Sequence, residues 1–327
     1  MKRREFITLL GGAAASWPVV ARAQQVRAPV VGFLNPGSSS ESGDRTAAFR
    51  TGLNDNGYVD GQNITIEYRW AEGHYDRLPA LAAELVRRSV AVIVTAGGNP
   101  PTFAAKAATT TIPIVFLIGQ DPVESGLVTN FSRPDGNLTG ISIFTTLLTA
   151  KRQELMRELI PSNSLVAILV NPTNGATPSD IKNAQVVAGK MGQKIQVLPA
   201  GSDREIEEAF AIIIKDKIGG LVVQGDPLFT NRRDYLVLLT TRHTIPTIFA
   251  WREFAQSGGL ISYGTNLSAA YRQAGVYVGR ILKGAKPADL PIQQSAVFEL
   301  VVNLKAAKAL GITIPTAILL RADEVIE

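Results

Sequence analysis

Val31-Gly32-Phe33-Leu34-Asn35-Pro36-Gly37 and Ala167-Ile168-Leu169-Val170-Asn171-Pro172 decide the reading of the fold. Each is a short apolar run that stops at an Asn-Pro pair, the pattern of a buried strand entering a loop. A second pair behaves alike: Ile118-Gly119-Gln120-Asp121-Pro122 and Val223-Gln224-Gly225-Asp226-Pro227 each leave an apolar strand. The echo reads as two similar units, one opening near Val30 and the other near Leu165, although generic turn dipeptides also recur by chance. Working outward, further strand patterns fall at residues 64–69, 90–95, 112–118, 138–143, 194–198, 220–223, 247–249 and 297–302. Helical patterns lie between them at 44–56, 75–88, 101–108, 147–159, 177–191, 203–214, 231–243 and 268–282. Strand and helix in alternation predict an α/β chain with two doubly wound, Rossmann-like units and mostly parallel sheets.

Length and composition agree with that. The chain has 327 residues, 46% hydrophobic and 19% charged, enough for about two domains with real cores. It contains no cysteine, which excludes a disulfide framework, a thiolate metal site and a cysteine nucleophile. The formal charge is +5, and its location matters. Lys2, Arg3 and Arg4 precede an apolar stretch from Phe6 to Val20, closed by Ala21-Arg22-Ala23: the layout of a secretory signal peptide spanning residues 1–23 and cleaved after Ala23. The stretch is shorter than the roughly 20 residues a membrane-spanning helix needs. Arg3-Arg4-Glu5-Phe6-Ile7 also resembles a twin-arginine export signal, and general secretion is the alternative route. Residues 1–23 hold four basic groups and one acidic group, so 304 residues remain with 29 basic and 27 acidic groups, a net +2. No basic block survives, so no nucleic-acid partner is expected. After processing, neither is stable membrane insertion.

In doubly wound units, ligands bind beyond the carboxyl ends of the strands. Those ends carry Asn35, Gly37 and Ser38; Thr95, Gly97 and Gly98; Gln120 and Asp121; Asn171; Asp226; and Trp251 with Arg252. They are small, polar and sparsely charged, which suits a neutral or zwitterionic small molecule better than a polyphosphate.

Catalytic constellations are thin. His74 and His243 stand alone, and no phosphate-loop, dinucleotide-loop or nucleophile-elbow motif occurs. No catalytic residue, metal or cofactor is therefore assigned. Asp121 and Asp226 have three readings: turn caps, partners for a ligand ammonium, or an acid–base pair across a cleft. Trp251 either stacks on a ligand or packs, whereas Trp70 reads as structural. Arg252 either clamps a carboxylate or pairs with a nearby acid such as Glu253.

Further stretches carry a family resemblance. These are Phe49-Arg50-Thr51-Gly52-Leu53-Asn54-Asp55-Asn56-Gly57-Tyr58, Thr111-Ile112-Pro113, Gly136-Asn137-Leu138-Thr139-Gly140, Gly258-Gly259-Leu260-Ile261-Ser262-Tyr263-Gly264, Phe298-Glu299-Leu300-Val301-Val302-Asn303 and Arg321-Ala322-Asp323-Glu324. With Asp121-Pro122, they make the chain, nearly end to end, resemble the periplasmic substrate-binding proteins of ABC importers, a family with tryptophan- and other aromatic-amino-acid-binding members. The resemblance implies a type I periplasmic-binding-protein fold: residues 27–143 with 267–290 as one lobe, and 147–262 with 296–327 as the other. A hinge near 142–146, 262–266 and 290–295 would join them. It further implies clamshell capture of an amino acid or related carboxylate, an ABC permease in the inner membrane as partner, a periplasmic location and a monomer. Asn35, Thr95, Gln120, Asp121, Asn171, Asp226 and Trp251 match the family's cleft positions, and Tyr263 joins the candidates from the second crossing. The neighbours of both aspartates depart from the aromatic binders, which leaves the ligand open. Two other roles share such a chain: a sensor for a receptor kinase, and an exported enzyme using the aspartate pair. A repressor effector domain would share the fold, but the export signal stands where its DNA-binding headpiece would be.

Overall fold

The computed structural model describes residues 28–40, 42–143, 148–295 and 297–327. The predicted signal peptide, and residues 144–146 of the first predicted crossing, lie outside them. β1 (Val30–Asn35), α1 (Gly43–Asn54), β2 (Thr65–Trp70), α2 (Leu78–Arg87), β3 (Val92–Thr95), α3 (Asn99–Ala108), β4 (Ile114–Ile118) and β5 (Leu138–Ser142) alternate as the hydrophobic pattern predicts. The chain then continues through α4 (Leu148–Leu159), β6 (Val166–Val170), α5 (Thr177–Met191), β7 (Ile195–Pro199), α6 (Asp203–Lys215), β8 (Gly220–Val223), α7 (Pro227–Asn231), α8 (Arg233–Arg242), β9 (Thr247–Phe249), α9 (Arg252–Gln256) and β10 (Ile261–Thr265). Last come α10 (Leu267–Leu282), β11 (Gln293–Gln294), β12 (Phe298–Asn303), α11 (Leu304–Leu310), α12 (Thr316–Leu319) and β13 (Glu324–Ile326).

The strands form two sheets, ordered β11-β5-β4-β3-β1-β2 and β13-β12-β10-β9-β8-β6-β7. Every pairing is parallel except β10 with β12. Central strands such as β4 and β6 are buried throughout, as strands covered by helices on both faces must be. In both sheets the order reverses beside the first strand, β1 in one and β6 in the other, and this is where a doubly wound sheet opens a crevice for a ligand.

The chain passes between the sheets three times: after β5, after β10, and between β11 and β12. α10, which follows the second passage, returns to the first sheet and lies along α1. The contact is close enough that a Cβ on Gly52 would sit 1.9 Å from the Arg272 carbonyl oxygen, so only glycine fits there. Thr265 Oγ1 donates to the Ile143 carbonyl oxygen at 2.7 Å, tying the second passage to the first. Trp70 joins the packing around Phe33: the rings of Phe49, Tyr68 and Trp70 lie 5.4, 5.3 and 5.8 Å from it. Elements β10, β11, α7, α9, α11, α12 and β13 are not marked in the sequence pattern. Six of these seven are five residues or fewer, too short to display a period, and α11 spans only seven.

Candidate functional site

Strand–loop–helix junctions of both sheets converge on one cavity of about 790 Å³, counting its open mouth. The first sheet supplies Asn35, Gly37, Gly97, Gly98 and Gln120, with Arg45 from α1 and Tyr271 from α10; the second supplies Asn174, Asp180, Gly225, Asp226, Asn231 and Trp251.

The echoed Asn-Pro loops are built alike. Asn35 Oδ1 accepts the Gly37 N–H at 2.7 Å, and Asn171 Oδ1 accepts the Thr173 N–H at 3.0 Å. These are the Asx turns that asparagine makes two residues ahead of itself. Asn35 faces the cavity. Asn171 does not line it and instead donates from Nδ2 to Asp226 Oδ1 at 3.0 Å.

Asp226 is the most heavily bonded group at the site. It is 4% exposed and caps α7 through the Leu228 N–H at 2.8 Å. Asn174 Nδ2 donates to Oδ2 at 2.7 Å, and the Tyr75 hydroxyl, arriving from the first sheet, stands 3.3 Å from Oδ1. Burial raises the Asp226 pKa, opposed by those four donors, and burial next to Asp226 likewise pushes the Tyr75 hydroxyl well above its usual value. Trp251, 6% exposed, follows β9 and lies against the backbone of the loop after β8, where a Cβ on Gly225 would meet Trp251 Cζ2 at 2.7 Å. Its ring both packs and faces the cavity.

On the opposite wall, Asn99 Nδ2 donates to Gln120 Oε1, and Gln120 Nε2 reaches Ser179 Oγ of the second unit at 3.5 Å. Arg45 Nε donates to Glu253 Oε1 at 3.3 Å, also across the two units. The buried Tyr271 hydroxyl is pushed up by its burial, and hydrogen bonds from Arg45 and Asn35 oppose the shift.

Other candidates lie off the cavity. Thr95 is fully buried and bonds Thr102 Oγ1 at 2.8 Å, fixing the start of α3. Ser38 bonds Ser40 at 3.1 Å on the exposed loop. Asp121 Oδ1 accepts the Val123 and Glu124 N–H groups at 2.7 and 3.0 Å; it caps a turn and does not face the cavity that Asp226 lines, so the two form no facing acid–base pair. Arg252 is turned into ion pairs with Glu299, at 2.9 Å, and with Glu324, not with Glu253. Tyr263 lines a separate depression with Lys151, Phe298 and Arg321, while its carbonyl oxygen accepts Arg152 Nε at 2.9 Å. Arg152 is fully buried, which lowers its pKa to about 10. Among the described residues no group of three or more His, Asp or Glu could hold a metal, and no helix is long and apolar enough to cross a membrane.

Arg45, Tyr75, Asn174, Asp180 and Tyr271 escaped the sequence reading because none of them ends a strand. One signal was present. Arg45 stands in the first turn of α1, where the helix dipole favours acids and disfavours a cation, and such a local conflict marks positions held for another reason.

A family model described as ABC transporter substrate binding protein matches residues 40–326. The chain belongs to that family. This substrate-binding protein is 26% identical, over 80% of its chain and 75% of the relative, to the tyrosine-binding protein of Clostridioides difficile (strain R20291). A conserved domain protein of Vibrio cholerae superposes with TM-score 0.84 at 26% identity, covering 91% of this chain and 100% of that one. A Streptococcus pneumoniae ABC domain solved with L-Trp superposes with TM-score 0.81 at 24% identity, covering 90% and 100%, and shares the fold. The fold is thus α/β with two mostly parallel sheets, that of the type I periplasmic binding proteins.

Proposed function

We propose that this substrate-binding protein is the solute receptor of an ABC importer, exported to the periplasm with cleavage after Ala23, and that it captures an amino acid or related carboxylate between its two halves. The observation that carries the reading is the cavity itself, whose walls come from both sheets and meet directly through Tyr75–Asp226 and Arg45–Glu253. A ligand bonded to both walls has those contacts only when the halves are together, so binding shifts the population toward the closed shape. The three chain passages act as the hinge, with 27–143 and 267–290 moving against 147–262 and 296–327. The permease then reads the closed shape. The tyrosine-binding relative and the L-Trp complex favour an amino acid as the solute.

The test is a thermal-shift survey of protein stripped of ligand by unfolding and refolding. A solute at 100 times its Kd stabilises the folded state by about 2.7 kcal/mol, so one or a few amino acids should raise the melting temperature by several degrees. A survey in which no solute does so contradicts the proposal.

A further inference from the structure

Among the described residues lining the cavity, Arg45 is the one cationic side chain. It is 9% exposed, yet its pairing with Glu253 is incomplete: Nε has a long contact to Glu253 Oε1, at 3.3 Å, and Arg45 Nη2 and Glu253 Oε2 are both buried without a partner. Native structures rarely leave a buried charged donor unmatched, because its lost hydration is not returned. Asp226, on the facing wall, shows the contrast, with four donors on its two oxygens.

We infer that Arg45 is the specificity residue for the ligand's carboxylate, which accepts from Nη2. The inference rests on the receptor reading above and narrows it to ligands with a singly charged anionic end. The chemistry favours a carboxylate over a phosphate. One guanidinium, its charge already shared with Glu253, does not balance a dianion, whereas the open Nη2 donor is matched by one oxygen of a singly charged carboxylate. The wall around Arg45 fits an anion as well: Gly98 and Asn99, at the amino end of the ten-residue helix α3, line it, while the cavity's two acids, Asp180 and Asp226, stand on the second unit's wall. The Tyr271 hydroxyl stands beside the guanidinium on the same wall. Because Glu253 comes from the second unit, the carboxylate binds where the two halves touch.

The experiment compares acid and amine partners on ligand-stripped protein by calorimetry: L-tyrosine with tyramine, L-tryptophan with tryptamine, and L-leucine with isoamylamine, beside neutral sugars and nucleosides and the phosphate monoester of the best-bound alcohol. The acid of at least one pair should bind ten times or more tighter than its amine. Arg45→Met should bring the two within threefold, and Arg45→Lys should keep part of the difference. Wild-type discrimination is read even if Arg45→Met fails to fold, and Arg45→Lys then carries the residue test by losing some of the difference. An amine bound as tightly as its acid, a variant with undiminished discrimination, a phosphate preferred to the carboxylate, or tight binding confined to a neutral solute would overturn the inference while leaving the receptor reading intact. Silence from every solute would overturn both.

Discussion

Asp121 and Asp226 occupy equivalent places, each three residues beyond a central strand, β4 and β8, and each followed by proline. In the first loop the aspartate caps a partly exposed turn with two backbone donors. In the second it is buried and gathers four donors, one of them Tyr75 from the other sheet. The local motif is the same in both cases and builds a turn in both. The added role of Asp226 comes from what the opposite half brings to it. Local sequence specifies local geometry, while assignment to the site depends on the three passages of chain between the sheets.

The comparison can be broken by substitution, beginning with the largest effect. Asp226→Ala strands the Asn171, Asn174, Leu228 and Tyr75 donors in a buried place, and urea unfolding should show a loss of about 3 kcal/mol or more. Gly225→Ala pushes a methyl group into the Trp251 ring, at a cost of about 1–3 kcal/mol, with weaker ligand binding as Trp251 shifts. Asp121→Ala, the control in the matching loop, removes a turn cap and should cost about 1 kcal/mol and leave ligand affinity unchanged. If Asp121→Ala and Asp226→Ala prove equally damaging, the distinction between the loops fails.

Tyr75→Phe sharpens the comparison. It deletes one long hydrogen bond across the cavity and should weaken ligand binding several-fold, about 1 kcal/mol, with each half still folded by far-UV circular dichroism. The smallest effect is in pH. Burial holds the Asp226 pKa above 3.8, so the folded state keeps this proton more tightly than the unfolded chain. Its contribution to stability is full below 3.8 and is lost as pH rises through the raised value. Asp226→Asn, which cannot ionise, should lack that slope when melting temperatures of the two proteins are compared across acidic buffers.

Much of this molecule is legible along the chain. Buried strands such as β4 and β6 announce themselves as apolar β-branched runs, and the loops that follow them place Asn35, Gly97, Gly98, Gln120, Asp226 and Trp251 at the cavity. β10 was missed because Ile261-Ser262-Tyr263-Gly264-Thr265 has one β-branched apolar residue and a glycine in its interior; pairing with β9 and β12, not propensity, makes it a strand. Arg252 and Arg45 show the limit for side chains. Arg252 neighbours Trp251 in sequence but is drawn into acids on β12 and β13, whereas Arg45, far from any strand end, is turned into the cavity with Glu253 and Tyr271 around it. Spacing along the chain carries neither outcome, because all the partners belong to distant segments.

The central claim, that one solute is held by both halves at once, is tested most directly by amide hydrogen exchange with and without the best-binding amino acid. The account predicts that protection rises together at Gly97–Asn99 in the first half and Asn174–Ala176 in the second, all of which lie at the cavity wall apart from the short Gly175 link. Protection confined to one half, or none in either at saturating ligand, would contradict it.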